Sequence, residues 1–357
     1  MEPYQLANIF SKNKIQKISS GIIPNSKKQS LLEKIMLWIR GNIFIPDARV
    51  LWVKPSIKYL EQYIQNNNIN TIITSGPPHS LHLIGLGLQQ KLNVRWIADF
   101  RDPWTTIGYH KSLKLSSLAS KKHKYLEHKI LNAANQIIVT SPTTKTEFQA
   151  ITNQSIHTIT NGFDTQIVTD YQLDNKFTLA HIGSFLSDRN PEILWQSLQE
   201  LINENSDFSL DFELKLIGKT SDEVLNTIDK FGLLKNTINL GYVTHNEAIN
   251  HQKSAQVLLL VEINSSETTC IIPGKLFEYL ASNRPIIGIG PENADFETII
   301  KNTNTGTFVN YNQKKELKTT IYNYYNLYKS KNLYTNPIGV DQYSRKNLTK
   351  QLAEILK

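Results

Sequence analysis

"FTLAHIGS" (Phe177–Ser184), followed after a short loop by "NPEILWQSLQELINEN" (Asn190–Asn205), decides the fold. The first segment is a short apolar run that stops at a glycine, as a strand buried in a parallel sheet does. The second reads as a helix with Pro191 near its start. A strand feeding a helix of this length is one βα step, and the step recurs on both sides.

Downstream, "FELKLIGK" (212–219), "TINLGYV" (237–243), "QVLLLVEI" (256–263) and "GTFVNY" (306–311) read as strands. "SDEVLNTIDKFG" (221–232), "THNEAINHQKSA" (244–255) and "NADFETIIKNTN" (293–304) read as helices. "CIIPGKLFEYLASNRPIIGIG" (270–290) supplies one of each, with Asn283-Arg284-Pro285 as the break. Upstream the helices are "SIKYLEQYIQNNN" (56–68), "PHSLHLIGLGLQQKL" (78–92), "SLASKKHKYLEHKILNAA" (117–134) and "PTTKTEFQAI" (142–151). They alternate with "TIITSG" (71–76), "VRWIADF" (94–100), "QIIVTS" (136–141) and "IHTITNGFD" (156–164). Such alternation predicts parallel, doubly wound α/β sheets.

The polar stretch 164–176 interrupts it and is the expected linker. The predicted division is an N-terminal domain over 1–165, a C-terminal domain over 176–336, and a closing amphipathic helix within 337–357 that packs back on the first domain. Two such domains are expected to face a cleft, since ligands bind beyond the carboxyl ends of the strands.

Composition sets limits. The chain has 357 residues, so two domains is the prior. One cysteine, Cys270, excludes an internal disulfide and a four-cysteine zinc site. The net charge of +8 points to an anionic partner or to a background of heavy Lys, Asn and Ile usage. The charge is dispersed and no nucleic-acid module is recognised, so no nucleic acid is expected. The start lacks the pattern of a signal peptide, and no apolar run approaches the roughly 18 residues of a membrane span. A cytoplasmic location follows as the expectation. Residues 30–47 contain a helix with Leu31, Leu32, Ile35, Trp38 and Ile39 near one face. With the basic residues 12–40, it would dock on its own domain or touch a membrane from the inner side.

Four loops after strands carry chemistry. In "TSGPPHS" a Gly-Pro-Pro turn opens a helix whose first N–H groups would face an anion, with His79 and Ser80 beside it. His79 and His82 are a metal pair, polar cleft histidines or structural ones, with no third ligand by spacing. In "IADFRDPWT" Asp99, Arg101 and Asp102 cluster at a strand end, for function or as a self-neutralising network. In "HIGSFLSDRNPE" Gly183 ends the strand and Arg189 puts a cation at a helix start. Lys275, after Gly274, repeats that arrangement against the helix dipole. Two such cations suggest a bound diphosphate, and Glu278 could accept from a ribose diol. The alternative is a Lys275–Glu278 helix pair worth a few tenths of a kcal/mol. No Walker loop, Gly-x-Gly-x-x-Gly, nucleophile elbow or Asp-x-Asp pair is present.

"PGKLFEYLASNRPIIGIG", "TSGPPHSLHLIGLGLQQKL", "WIADFRDPWT", "TNGFD" and "HIGSFLSDRNP" together resemble segments of family 4 glycosyltransferases with the GT-B fold. The tail "YSRKNLTKQLAEIL" resembles the closing helix of their bacterial envelope and exopolysaccharide branch. The resemblance implies retaining transfer of a sugar from a nucleotide-sugar to a glycan or lipid-linked acceptor, with no cofactor and no metal. It implies that Arg189, Lys275, Gly183 and Gly274 hold the donor diphosphate and that Glu278 holds the ribose. Gly241, Tyr242 and Val243 would border the base. Arg101, Asp102 and Asp99 would act at the reacting sugar, with His79 and Ser80 on the sugar and acceptor side.

The chain departs from the family pattern in three places. Cys270 stands eight positions before Glu278, where many relatives carry a first glutamate. Ser184 stands where an arginine is usual. Relatives also begin with a strand, a Gly-rich loop and a further α/β unit, so the N-terminal domain is expected to be incomplete by roughly 60–70 residues. Two other functions remain open: a nucleotide-sugar-binding remnant without turnover, and a nucleotide-sugar 2-epimerase on the same fold.

Overall fold

The computed structural model describes residues 31–108, 110, 113–164 and 171–357. The basic residues 12–30 and the linker residues 165–170 lie outside the described residues. The chain divides into two compact units, one ending at Ile159 and the other starting at Thr160.

The first unit contains helices α1 (Leu31–Asn42) and α2 (Val53–Asn66), then β1 (Thr71–Gly76), α3 (Ser80–Leu92), β2 (Arg95–Phe100), α4 (Ser117–Ala133), β3 (Gln136–Val139), α5 (Pro142–Gln149) and β4 (Ser155–Thr158). Its strands form one parallel sheet in the order β1-β2-β3-β4. Trp96, Ala98 and Phe100 of β2 meet Ile130 and Leu131 of α4 and Phe148 of α5 in one core. Alternate strand residues share a face, which is why every second position of β2 joins that cluster. Helix α3 carries Gly85 against β2, where a Cβ would stand 2.3 Å from Trp96 Nε1. The glycine lets helix and strand approach closely. Of the expected apolar face of α1, Ile35 and Trp38 are exposed. Among the described residues no helix is long and apolar enough to cross a membrane.

The second unit runs β5 (Phe177–Ile182), α6 (Glu192–Glu204), α7 (Ser206–Asp211), β6 (Phe212–Ile217), α8 (Asp222–Lys230), β7 (Thr237–Gly241), α9 (His245–Ser254), β8 (Val257–Val261), α10 (Lys275–Ala281), β9 (Ile286–Gly290), α11 (Asp295–Asn302), β10 (Gly306–Asn310), α12 (Lys314–Lys329) and α13 (Arg345–Leu356). The parallel sheet has the order β10-β9-β8-β5-β6-β7. It is doubly wound, with the reversal between β5 and β8. Leu179, Leu214, Leu259 and Ile287 point to one face and pack on α6 and α12. Ala180, Leu258, Leu260 and Ile286 point to the other and pack on α10 and α11. With both faces covered, β5, β8 and β9 are buried at every position.

Two features differ from the sequence expectations. Helix α12 was not anticipated, because its Tyr, Asn and Thr content masks the spacing of Leu317, Ile321 and Tyr325, which are buried four residues apart. The short α7 was also not anticipated; Asn205 caps it by accepting from Phe208 N–H. The closing helix α13 is tied at its start to the head of its own unit: Arg345 N–H donates to Phe163 O (2.9 Å) and Phe163 N–H to Tyr343 O (3.2 Å).

The break after α10 is as expected. Asn283 takes φ 57°, a left-handed conformation asparagine tolerates. Arg284 then buries its guanidinium, donating to Ala255 O (2.8 Å), Gln256 O (2.9 Å) and Gln256 Oε1 (3.1 Å). It satisfies carbonyls at the carboxyl end of α9, where a cation is favoured.

Candidate functional site

In the second unit, β5 lies between β6 and β8, at the point where the strand order reverses. In open parallel sheets this switch point is where ligands bind. Gly183 follows β5 with φ 121°, and its N–H donates to Ile217 O at 2.6 Å. The side chain of Lys275, the first residue of α10, lies across this glycine. A Cβ at position 183 would stand 2.1 Å from Lys275 Cε and 2.2 Å from Nζ. Gly218, after β6, has φ 115°, and a Cβ there would meet the Gly183 carbonyl oxygen at 2.5 Å. Glycines thus keep the carboxyl edge low beside the lysine.

Lys275 Nζ lies 3.5 Å from His181 Nε2. His181 Nδ1 lies 3.1 Å from Leu259 O. A carbonyl oxygen only accepts, so Nδ1 carries the ring proton and Nε2 offers its lone pair to the ammonium. Burial, then repulsion from Lys275, holds the His181 pKa well below 6.5 against the opposing backbone hydrogen bonds of Leu259 and Ser184, so the ring is neutral. The ring packs on Phe185 with centroids 4.3 Å apart. Burial, and next Arg189, lower the Lys275 pKa to about 8, while Glu262 and Glu278 act the other way. At neutral pH the lysine remains mostly charged.

Arg189 sits in a turn of 3-10 helix, Ser187–Arg189, ahead of α6. Its Nη2 donates to Glu262 Oε1 (3.0 Å) and Oε2 (3.2 Å). Glu262 is buried at the end of β8 and also accepts from Ile263 N–H at 2.9 Å. The cation read as awaiting an anion therefore already faces a carboxylate of this chain. Nothing local in sequence announces that pair, which spans 73 positions. A glutamate closing the apolar run "QVLLLVEI" was the one available signal.

Glu278 accepts from Gln252 Nε2 at 2.7 Å. This neutral donor on α9 takes the place of the considered helix pair with Lys275. Cys270 is buried, its Sγ 3.8 Å from Glu267 O. Gly274 is exposed, with nothing within 4 Å of a Cβ placed on it. Tyr242, just beyond β7, is 91% exposed, while Val243 packs on the core near α10.

In the first unit, Asp99, Arg101 and Asp102 gather at the end of β2. Asp99 Oδ2 accepts from Ser75 Oγ (2.7 Å), and Asp99 Oδ1 lies 3.4 Å from Arg101 Nη1. Arg101 Nη1 also donates to Ile159 O at 3.3 Å. Burial raises the Asp102 pKa, with Arg101 partly opposing.

The Gly-Pro-Pro turn departs from its anion-facing reading. Ser80 N–H donates to Asp47 Oδ2 (2.7 Å) and Ser80 Oγ to Asp47 Oδ1 (2.9 Å). Trp52 Nε1 donates to Ser80 Oγ at 2.9 Å. The anion at the start of α3 is thus the chain's own Asp47, and Ser80 is fully buried. His79 is buried as well, stacked on Trp104 with centroids 4.7 Å apart. His82 Nδ1 bonds Thr74 Oγ1 at 2.8 Å. Among the described residues no cluster of three or more His, Cys, Asp or Glu is arranged to hold a metal.

Solved structures share the fold. A sucrose-phosphate synthase from Thermosynechococcus elongatus is 14% identical over 86% of this chain and 78% of that one, with a TM-score of 0.59. Anabaena HepE, in complex with UDP and glucose, is 14% identical over 85% and 81%, TM-score 0.59. A glycosyltransferase from Rickettsia africae ESF-5 is 13% identical over 94% and 83%, TM-score 0.60. No curated protein matches the sequence. Residues 22–167 match the model of Glycosyltransferase Family 4. The match to the glycosyltransferase family 4 model is thus confined to residues 22–167, and the two α/β units of the chain have the fold of GT-B glycosyltransferases.

Proposed function

We propose that the chain is a retaining glycosyltransferase that moves a sugar from a nucleotide-sugar to a glycan or lipid-linked acceptor of the cell envelope. One observation carries the reading: a charged lysine, Lys275, laid over Gly183 at the switch point of the second unit. That is where a diphosphate would be bound. The likeness in fold to a protein solved with UDP and glucose supports it.

In this reading Lys275 and the remaining N–H groups of Arg189 hold the diphosphate, and their charge stabilises it as it leaves, without a metal. Glu278 turns from Gln252 to the ribose hydroxyls. Gly241, Tyr242 and Val243 border the base. The bond from the anomeric carbon to the diphosphate breaks, and the acceptor oxygen bonds the same face of that carbon. The acceptor's proton passes to the leaving phosphate oxygen. Asp99, Arg101 and Asp102 line the sugar and acceptor side. The exposed Ile35 and Trp38, beside Lys34, support work against an anionic lipid surface on the inner face of the membrane.

The test is a panel of UDP- and GDP-sugars with chelator present, followed by proton NMR of the released or transferred sugar. The expected product keeps the donor's anomeric configuration, and anionic vesicles raise the rate with a lipid-linked acceptor. An inverted product would contradict retention, and binding without turnover would favour the remnant. Conversion of the donor to its 2-epimer would favour the epimerase.

A further inference from the structure

We propose that His181 is a positioning residue for the diphosphate: its neutral imidazole holds the Lys275 ammonium over Gly183 by its Nε2 lone pair without cancelling the charge. The inference rests on the donor-site reading above and adds to it the residue that aims the lysine.

Three observations lead here. First, the two cations at this sheet edge are held differently. Arg189 faces the buried Glu262 carboxylate at 3.0 and 3.2 Å. Lys275 faces an imidazole nitrogen at 3.5 Å. A carboxylate partner would have neutralised the lysine, whereas an uncharged acceptor fixes direction and leaves the charge for an incoming anion. Second, the imidazole is itself fixed. Its Nδ1–H is committed to Leu259 O on the neighbouring strand, and its ring packs on Phe185. Nε2 is therefore presented as an acceptor in one orientation. Third, the bare Gly183 backbone makes room for the end of the lysine, whose Cε and Nζ occupy the volume a Cβ of residue 183 would take.

The other charged groups acting on Lys275 are Arg189, which repels it, and Glu262 and Glu278, which attract it. Glu262 is engaged by Arg189 and Glu278 by Gln252. Tyr311 joins the same network by donating to Glu262 O at 2.9 Å.

Two substitutions separate the roles of the two ring nitrogens. Asparagine can keep the donor to Leu259 O but offers nothing at the Nε2 position. Glutamine can place a carbonyl oxygen where Nε2 stood. Affinity for UDP and for inorganic pyrophosphate would be measured by calorimetry from about pH 6.5 to 9, a range spanning Lys275 titration. His181→Asn is expected to weaken both ligands about tenfold or more, since a lost bond to a charged group is involved. Its affinity should also fall at lower pH than in the unaltered protein, because the ammonium has lost an acceptor. His181→Gln should stay within about threefold.

A merely structural histidine would lower the unfolding temperature of both variants without moving the pH at which binding falls. On the unaltered protein, nitrogen NMR of labelled histidine should show Nδ1 protonated and Nε2 shifting when UDP binds. His181→Asn binding both ligands normally, or a proton on Nε2, would overturn the proposal. If the unaltered protein binds neither UDP nor pyrophosphate, the donor-site reading fails with it. If it binds them and His181→Asn does so equally, only the role of His181 fails.

Discussion

Gly183→Ala is expected to yield a folded protein that has lost at least about tenfold of its affinity for a nucleoside diphosphate. Two separate effects meet at this position. The backbone conformation, φ 121°, is one that residues with a Cβ rarely adopt, and forcing it costs about 1–3 kcal/mol. That cost appears as a lower urea midpoint. The new methyl would also overlap Lys275 Cε and Nζ, at 2.1 and 2.2 Å. The end of a lysine side chain yields more easily than the backbone, so the lysine is displaced and the fold survives. Binding then falls because the ammonium no longer stands over the strand end. Urea unfolding and UDP calorimetry on the same sample would separate the two. A variant that is destabilised yet binds UDP normally would show that Lys275 does not need its place over Gly183.

Acid should unfold the first unit early. His79, His82 and His123 lie around Phe100 and Trp104, His110 packs on His123, and burial lowers the pKa of each. For His82 the value falls to about 3 and for His110 to about 4. Because the folded values lie below the unfolded 6.5, the unfolded chain takes up these protons first. The stability involved is fully present above pH 6.5 and is lost as pH falls toward the folded values. Each such histidine costs about 1.4 kcal/mol per pH unit in this window, so His82 and His110 together cost about 4 kcal/mol by pH 5. That is a large part of the roughly 5–15 kcal/mol that holds an ordinary protein folded. Asp102 and Glu127, whose pKa values burial raises, oppose it at the acid end by binding protons in the folded state.

Trp104 reports the event directly, since it stacks on His79 and donates to His123 Nδ1 at 3.1 Å. Its fluorescence should change cooperatively at roughly pH 4–5. Neither ring nitrogen of His79 has a hydrogen-bond partner among the described residues. His79→Phe should keep the stack, remove one proton site and move the transition to lower pH. A transition unmoved by that substitution would mean that the buried imidazoles do not govern acid stability.

The βα alternation was legible because each strand is a short apolar run closed by a glycine or polar residue, and each helix carries its own spacing. Lys275 and Gly183 were also legible, since a cation in a first helical turn and a glycine at a strand end are local signals. The partners that decide their behaviour were not. Glu262 reaches Arg189 across 73 positions, His181 reaches Lys275 across 94, and Asp47 reaches Ser80 across 33. Such pairs exist only after the sheet has brought strand ends together. The same limit explains the error at the Gly-Pro-Pro turn. Free N–H groups at a helix start do call for an anion, but sequence does not say whether the chain supplies it. Helix α12 was missed for another reason: tyrosines and asparagines diluted an apolar spacing that was present at Leu317, Ile321 and Tyr325.

The central claim is that the carboxyl edge of the second unit binds the diphosphate of a nucleotide-sugar through Lys275. Its most direct test is calorimetric titration of the full chain and of Lys275→Met with UDP and GDP at neutral pH. Methionine keeps the unbranched stem over Gly183 and removes only the charge. The account predicts that the unaltered chain binds one of these nucleotides and that Lys275→Met binds it at least about tenfold more weakly, with an unchanged unfolding temperature. Equal affinity in the two proteins, or no binding of either nucleotide by the unaltered chain, would contradict it.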